Sequence, residues 1–236
     1  MLKRAFDIAV SACGLAFASP VLLVVMFLVW FEDRHSPFYL APRVGRDGLS
    51  FRMVKMRSMI IGADRKGASS TSNDDGRITP IGRFIRRYKI DEITQLWNVI
   101  TGDMSLVGPR PQIQSGVDLY SDRERHLLKV RPGITDFASI VFSDEGTILA
   151  GQPDPDFTYD QLIRPGKSRL GLFYVEHQSL IVDIRLLWLT VVSIFSRRRA
   201  LEGVQVLLEG LGAAADLVSL SSRQNSLTPA KPPGFE

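Results

Sequence analysis

The feature that most constrains this chain is an uncharged run from Ile8 to Phe31, with Lys3-Arg4 before it and Glu32-Asp33-Arg34 after it. As one straight helix the run is about 36 Å long at 1.5 Å per residue. That is enough to cross a hydrocarbon core of about 30 Å, and it is longer than the apolar region of an ordinary signal peptide. Ser19-Pro20 sits in its middle. Proline removes a backbone donor and clashes with the preceding turn, at a cost of about 3 kcal/mol inside a helix. Each arm, Ile8–Ala18 and Val21–Phe31, is then about 16 Å long, half a bilayer. Two readings follow, a kinked spanning helix or a hairpin that enters and leaves on one side. Basic residues flank both ends, Lys3-Arg4 and then Arg34, Arg43 and Arg46, which suits both ends being cytoplasmic.

Composition agrees with a protein that gives some apolar surface to lipid. Of 236 residues 45% are hydrophobic, and the formal net charge is +4. That balance serves nucleic acid, anionic lipid or phosphate-bearing substrates without choosing among them. A single cysteine, Cys13, excludes an intrachain disulfide, and inside the apolar run it reads as a small hydrophobe. His35, His126 and His177 are scattered, without zinc-ligand spacing.

Beyond the apolar run, Phe38-Tyr39-Leu40 and residues 50–54 flank Gly45-Arg46-Asp47-Gly48, a hairpin signal. Residues 62–76 are small and polar and are expected to form a mobile loop. Ile81–Ile90 reads as an amphipathic helix, with Ile81, Phe84, Ile85 and Tyr88 on one face and Arg83, Arg86 and Arg87 on the other. A second helix carries Ile93, Leu96, Trp97 and Ile100 and stops at Gly102. Met104–Val107 reads as a short buried strand, Val117–Val130 as a charged helix, Thr135–Val141 as a strand and residues 152–158 as a proline-rich loop. Leu180–Phe195 is a long apolar helix and Leu201–Leu220 an amphipathic one. The expected organisation is a membrane segment over 1–35, a catalytic domain over 36–200, a helix over 201–220 and a disordered tail over 221–236.

The charged groups concentrate between Asp75 and Arg110. Arginine matches phosphate oxygens bidentately, yet Arg83 and Arg86 serve equally as a solvated helix face. Asp91-Glu92 opens a helix, where an acid is commonly a cap or dipole partner. Gln95 and Asn98 continue the Asp91 face, and basic residues flank the pair. A carboxylate so placed stays ionised and can attack phosphorus or bind a hard cation. Arg110, between Pro109 and Pro111, is a stiffly held donor.

These residues carry a resemblance. The chain resembles the bacterial sugar transferase family, monotopic phosphoglycosyl transferases acting on polyprenyl phosphate, over about residues 1–195. The matching stretches include Lys3–Ile8, Ser19-Pro20, Arg43-Val44-Gly45, Lys55–Met59, Asp75–Thr79, Gly82–Arg86, Asp91-Glu92 with Gln95 and Asn98, Gly102–Pro111, Arg131–Thr135, Pro165-Gly166-Lys167, Tyr174 and Asp183-Ile184. The resemblance implies an α+β, mostly helical monotopic fold with a re-entrant helix broken at Ser19-Pro20, interfacial amphipathic helices and a small β element. It implies Mg2+ and an Asp-Glu catalytic pair, with Asp91 as the nucleophile and Glu92 as the metal ligand. Arg110, Arg77, Arg83, Arg86, Lys55 and Arg57 become the candidates for substrate phosphates. Ala41, Thr94 and Asp136 depart from common family residues, and the last, with the short chain, points to compact members.

The activity so implied is transfer of a sugar-1-phosphate from a UDP-sugar to undecaprenyl phosphate, with UMP released, at the start of polysaccharide or exopolysaccharide assembly. The expected location is the cytoplasmic face of a bacterial inner membrane. The expected partners are the polyprenyl phosphate, the UDP-sugar and the membrane, with no nucleic acid and with a homodimer left open. The competing readings are a membrane-bound glycosidase and a non-catalytic protein holding anionic lipid through Arg86, Arg87 and Arg197–Arg199. Adjacent carboxylates at a helix start are poorly placed to face one another across a sugar, which disfavours the glycosidase.

Overall fold

The computed structural model describes residues 2–65, 70–72 and 74–235. The expected loop over 62–76 lies partly outside these. The apolar run forms one helix, α1 (Leu2–Asp33), with Pro20 inside it. The break expected at Ser19-Pro20 is absent, because the chain stays helical through both residues and no second helix begins there. The Ser19 hydroxyl donates to the Ala16 carbonyl at 2.8 Å, the acceptor four residues back that the Pro20 nitrogen cannot serve.

Both ends of α1 are fastened to the same globular body. Near its start Lys3 pairs with Asp183 at 2.5 Å. Arg4 donates to the carbonyls of Val99 and Ile100 at 2.6 and 3.0 Å, and buried Asp7 accepts from Ser105 at 2.8 Å. At its far end Arg57 grips Asp33 with two nitrogens, at 2.6 and 2.7 Å. There Leu22, Val25 and Val29 pack against Met56, Ile85 and Ile90. Between the ends, Phe17, Leu23, Val24, Phe27 and Phe31 face outward.

The expected hairpin is present as β1 (Phe38–Val44) and β2 (Ser50–Met56), antiparallel from Phe38↔Met56 to Val44↔Ser50. Next come α2 (Pro80–Arg87), N-capped by Thr79, α3 (Ile90–Ile93) and α4 (Leu96–Thr101). The single helix expected around Ile93–Ile100 is thus two short turns. They dock on β2 through side chains that imitate a strand. Asn98 accepts from the Val54 amide at 2.8 Å and donates to the Arg52 carbonyl at 2.9 Å, and Thr94 donates to the Val54 carbonyl at 3.0 Å. Asn98, expected to extend the Asp91 polar face, instead closes the edge of β2.

β3 (Ser105–Val107) pairs in parallel with β4 (Gly133–Thr135). Between them lie α5 (Gln114–Asp118) and a 3-10 stretch, Glu124–Lys129, in place of the charged helix expected over Val117–Val130. Fully buried Glu124 forces this change, because it turns inward to Arg164 and Ser168. The strand expected over Thr135–Val141 ends at Thr135. Asp136 caps the Ser139 amide at 2.7 Å and starts α6 (Phe137–Val141), and a capping acid overrides the β-propensity of the residues after it.

Short helices α7 (Glu145–Ile148) and α8 (Pro155–Thr158) lead through a π-helical turn into α9 (Arg164–His177). The helical turn α8 falls in the stretch expected to be a loop, and α9 went unread in the sequence. α10 (Leu180–Phe195) forms as expected. The amphipathic helix expected over 201–220 is two helices, α11 (Arg197–Gly210) and α12 (Ala215–Ser222), separated where Gly212 adopts φ +77. Helices α6, α9, α10 and α11 close around one core containing Phe137, Leu170, Leu186 and Val204. The segment expected to be disordered is laid on this body, with Leu227 packed against the core.

The sheet joint is unforgiving. A Cβ on Gly133 would stand 2.1 Å from the Gly108 nitrogen. Gly133→Ala should cost about 3 kcal/mol and lower the melting temperature by roughly 10 °C, while Gly76→Ala, with open space around it, should be neutral. Equal melting temperatures for the two variants would contradict the packing described. Because one body holds both ends of α1, both ends are expected on one side of a bilayer. Single cysteines at Met1 and Pro37, in a Cys13→Ser background, should react with an impermeant maleimide from the same side of sealed vesicles. Labelling from opposite sides would refute this.

Candidate active site

The acidic pair is placed by a sharp local turn. Lys89 takes a left-handed conformation, φ +56, between α2 and α3. The chain thereby reverses within a few residues, and Asp91 and Glu92 fall in the first turn of α3 beside β2. Lys55, on β2, reaches Asp91 with 3.1 Å between Nζ and Oδ2. The Asp91 side chain is only 8% exposed, so its negative charge sits against one fixed cation. Glu92 points to Arg110, with Nη2 to Oε1 at 3.1 Å, and has Lys89 at 3.9 Å. Arg110 lies three residues past the end of β3. Its loop is pinned by the Gly133 amide donating to the Pro109 carbonyl at 3.0 Å.

The electrostatics favour charge on Glu92 and on Arg110. Burial works against ionisation of Glu92, but Arg110, Lys89 and Lys55 outweigh it and hold its pKa down to about 2. Glu92 in turn raises the pKa of Arg110 against the opposing effect of burial. Burial lowers the pKa of Lys55, and Asp91 counters it. Arg43 is lowered by burial and by the nearby Arg110 charge.

A pocket opens beyond Arg110, lined by Gln112, Asp136, Ser139, Tyr159 and Lys167 among others. Lys167 is bound to Glu145. Its pKa is raised although burial opposes this, with Tyr159 and Glu145 responsible. Asp136 is raised by burial. Arg110 thus stands between the acidic pair and a mixed polar and aromatic recess.

Of the residues singled out in the sequence, the structure brings together Asp91, Glu92, Lys55 and Arg110. Arg77 instead grips Asp75 through Nε and Nη2 and donates to the Ala63 carbonyl. Arg57 clamps the end of α1. Arg83 and Arg86 lie on α2, and Arg86 is near enough to Asp75 to depress its pKa after the larger effect of the Arg77 hydrogen bond. Ser19 and Pro20 lie in α1 as described. Sequence reasoning missed Lys89, Glu145 and Asp136 as members of the charged surroundings. Lys167 lies in a stretch that matches the family but carries no expected role. Glu145 and Lys167 meet across 22 residues, and no local pattern announces such a pair.

Among the described residues no group of three or more His, Cys, Asp or Glu side chains is placed to enclose a metal. The donors present still fit magnesium, which is commonly held by one or two carboxylates together with substrate phosphates and water. Glu92, kept ionised and 21% exposed, is the ligand this arrangement offers, with Asp91 adjacent.

A family model described as bacterial sugar transferase matches residues 1–197. The chain is 33% identical over 201 residues to the UDP-N-acetylgalactosamine-undecaprenyl-phosphate N-acetylgalactosaminephosphotransferase of Aeromonas hydrophila, covering 83% of this chain and 44% of that protein. It is 37% identical over 203 residues to the undecaprenyl-phosphate glucose phosphotransferase of Komagataeibacter xylinus, covering 83% and 36%. It is 30% identical over 207 residues to the exopolysaccharide production protein ExoY of Sinorhizobium fredii, covering 81% and 84%. The chain therefore spans less than half the length of the first two relatives and most of the third.

The Glu92 pKa gives a pH dependence with a definite sign. A carboxyl depressed from 4.5 to about 2 contributes stability that is complete above the unfolded value and is lost as pH falls through the folded one, on the order of 3 kcal/mol. Melting temperature should decline from pH 5 toward pH 2, and Glu92→Gln should flatten that decline. An identical slope in the variant would exclude Glu92 as its source.

Proposed function

This chain belongs to the bacterial sugar transferase family, and on that premise we propose that it transfers a sugar-1-phosphate from a UDP-sugar to undecaprenyl phosphate through a covalent intermediate on Asp91. The observation that carries the reading is the buried Asp91 carboxylate, paired with Lys55, beside the Glu92–Arg110 pair. The names of the Aeromonas and Komagataeibacter relatives, both undecaprenyl-phosphate sugar phosphotransferases, supply the acceptor and the class of donor.

Two phosphate-bearing substrates repel one another, and the site must offset that repulsion. Arg110 and Lys167, lining the recess, are placed to bind the diphosphate of the donor. Lys55 holds Asp91 in one orientation. An Asp91 oxygen bonds to the sugar-bearing β-phosphorus, the bond from that phosphorus to the bridging oxygen breaks, and UMP leaves with the electron pair. An oxygen of the polyprenyl phosphate then bonds to the same phosphorus, and the Asp91 carboxylate departs. The products are polyprenyl diphosphate-sugar and free enzyme. Magnesium, when bound at Glu92, supplies neutralising charge for the diphosphate. Glu92 itself stays ionised throughout and anchors Arg110.

The lipid acceptor requires this chemistry to sit at headgroup depth, because each CH₂ drawn into water costs about 0.8 kcal/mol. The outward faces of α1 and α10 fit that placement. On α10, Ile181, Ile184, Trp188, Val191 and Phe195 are all exposed and share one helical face. A body resting on the cytoplasmic face, with the exposed sides of α1 and α10 turned to lipid, satisfies both ends of α1 and this stripe together.

Asp91→Asn should lower turnover at least about a thousandfold while the protein remains folded and membrane-bound. Wild-type protein given donor and no acceptor should release one equivalent of UMP and gain the mass of one sugar phosphate, and the variant should do neither. Near-normal turnover in the variant, or a wild type that never gains that mass, would overturn the assignment.

A further inference from the structure

The family match stops at residue 197, yet the chain beyond it returns to the pocket at two places. After α12, Arg223 takes a left-handed conformation, φ +54. Its guanidinium is tucked against the Phe142 ring and pairs with Asp144 at 3.0 Å. Asp144 precedes Glu145, which holds the pocket residue Lys167. The tail then runs on through Leu227, packed against the core. The Ala230 amide donates to the Gln161 carbonyl at 3.1 Å, and the buried Ser121 hydroxyl donates to the Pro233 carbonyl.

Ser121 and Gln161 are the immediate neighbours of Tyr120 and Asp160, which line the pocket from two different segments of chain. The tail therefore bonds to both walls. The sequence is suited to it. A Cβ on Gly234 would fall 2.6 Å from the Ser121 Oγ, and Gly234 has φ +91, so glycine permits the approach. Pro229, Pro232 and Pro233 limit the conformations the free tail explores, which lowers the entropy lost on docking.

We propose that residues 224–235 are a strap that holds the two pocket walls in register and thereby sets the affinity for the nucleotide-sugar donor. The proposal rests on the reading that this pocket takes the donor. Ser121 and Gln161 act as positioning residues, since the strap reaches the pocket through them and, among the described residues, its hydrogen bonds do not extend to Asp91 or Glu92. Arg164 also joins the walls, through Glu124 at 2.8 Å and through the Leu119 carbonyl. Loss of the strap consequently loosens the pocket without unfolding it.

The test uses the full chain, the chain ending at Arg223, and Ala230→Pro, which keeps the tail but removes the amide that bonds Gln161. UDP, the portion common to all UDP-sugars, is the probe. Both variants should bind UDP roughly tenfold more weakly, equivalent to about 1.4 kcal/mol. Both should show faster amide exchange confined to 119–124 and 159–164. Unchanged UDP affinity in both variants overturns the strap. Exchange that rises throughout the body in Ala230→Pro also overturns it, because the tail would then be general scaffolding. A full-length chain that binds no UDP, with or without magnesium, removes the donor reading of the pocket and this proposal with it.

Discussion

Two ionic clasps, Lys3–Asp183 and Arg57–Asp33, hold the architecture together by tying both ends of an apolar helix to one body. Such pairs contribute little net stability once desolvation is counted, but removing one partner leaves a costly unpaired charge. Their value here is positional. Asp183 is the lone acid in the apolar sequence of α10, and it also accepts from Tyr174 at 2.7 Å. Asp33 is met by an Arg57 that further donates to the Ser36 carbonyl at 2.8 Å. With the ends fixed, the apolar middle of α1 has no polar surroundings to reach, and the body is obliged to lie against whatever covers that middle.

The same economy shapes the site. Asp91 and Glu92 are adjacent in sequence but have different cations, Lys55 from β2 and Arg110 from the loop after β3. Two like charges at neighbouring positions would otherwise disfavour joint ionisation. Separate partners, drawn from separate elements, give the two carboxylates distinct environments. Asp91 is the more enclosed, and Glu92 the more open. Side chains that dock α3 and α4 on β2 set this geometry. Asn98 and Thr94 occupy the hydrogen-bonding groups of Arg52 and Val54 on either side of Met53, and Lys55 follows directly in the strand.

Much of this was legible in the residues. Periodicity gave α10, and α2 as far as Arg87, where left-handed Lys89 ends the helix expected to reach Ile90; the Gly45–Gly48 turn gave the hairpin, and the run of charge around Asp91 gave the candidate site. What could not be read depends on contacts distant in sequence. Glu124 falls inside the charged helix expected over Val117–Val130 because its partner Arg164 lies 40 residues away. Residues 137–141 have the composition of a strand, and only the Asp136 side chain folding back on Ser139 starts a helix there. Arg57 and Arg77 have the right chemistry for phosphate, but Asp33 and Asp75 had already claimed them. A proline-rich, polar terminus reads as disordered when its docking partners, Ser121 and Gln161, are invisible from within the segment.

The Ser19 hydroxyl has a consequence for the lipid itself. A proline in a helix ordinarily leaves a carbonyl that draws water toward it, and hydrocarbon offers no other donor. Here the Ala16 oxygen is already satisfied from within α1. Wherever acyl chains surround this midpoint, the helix can intrude as a dry wedge.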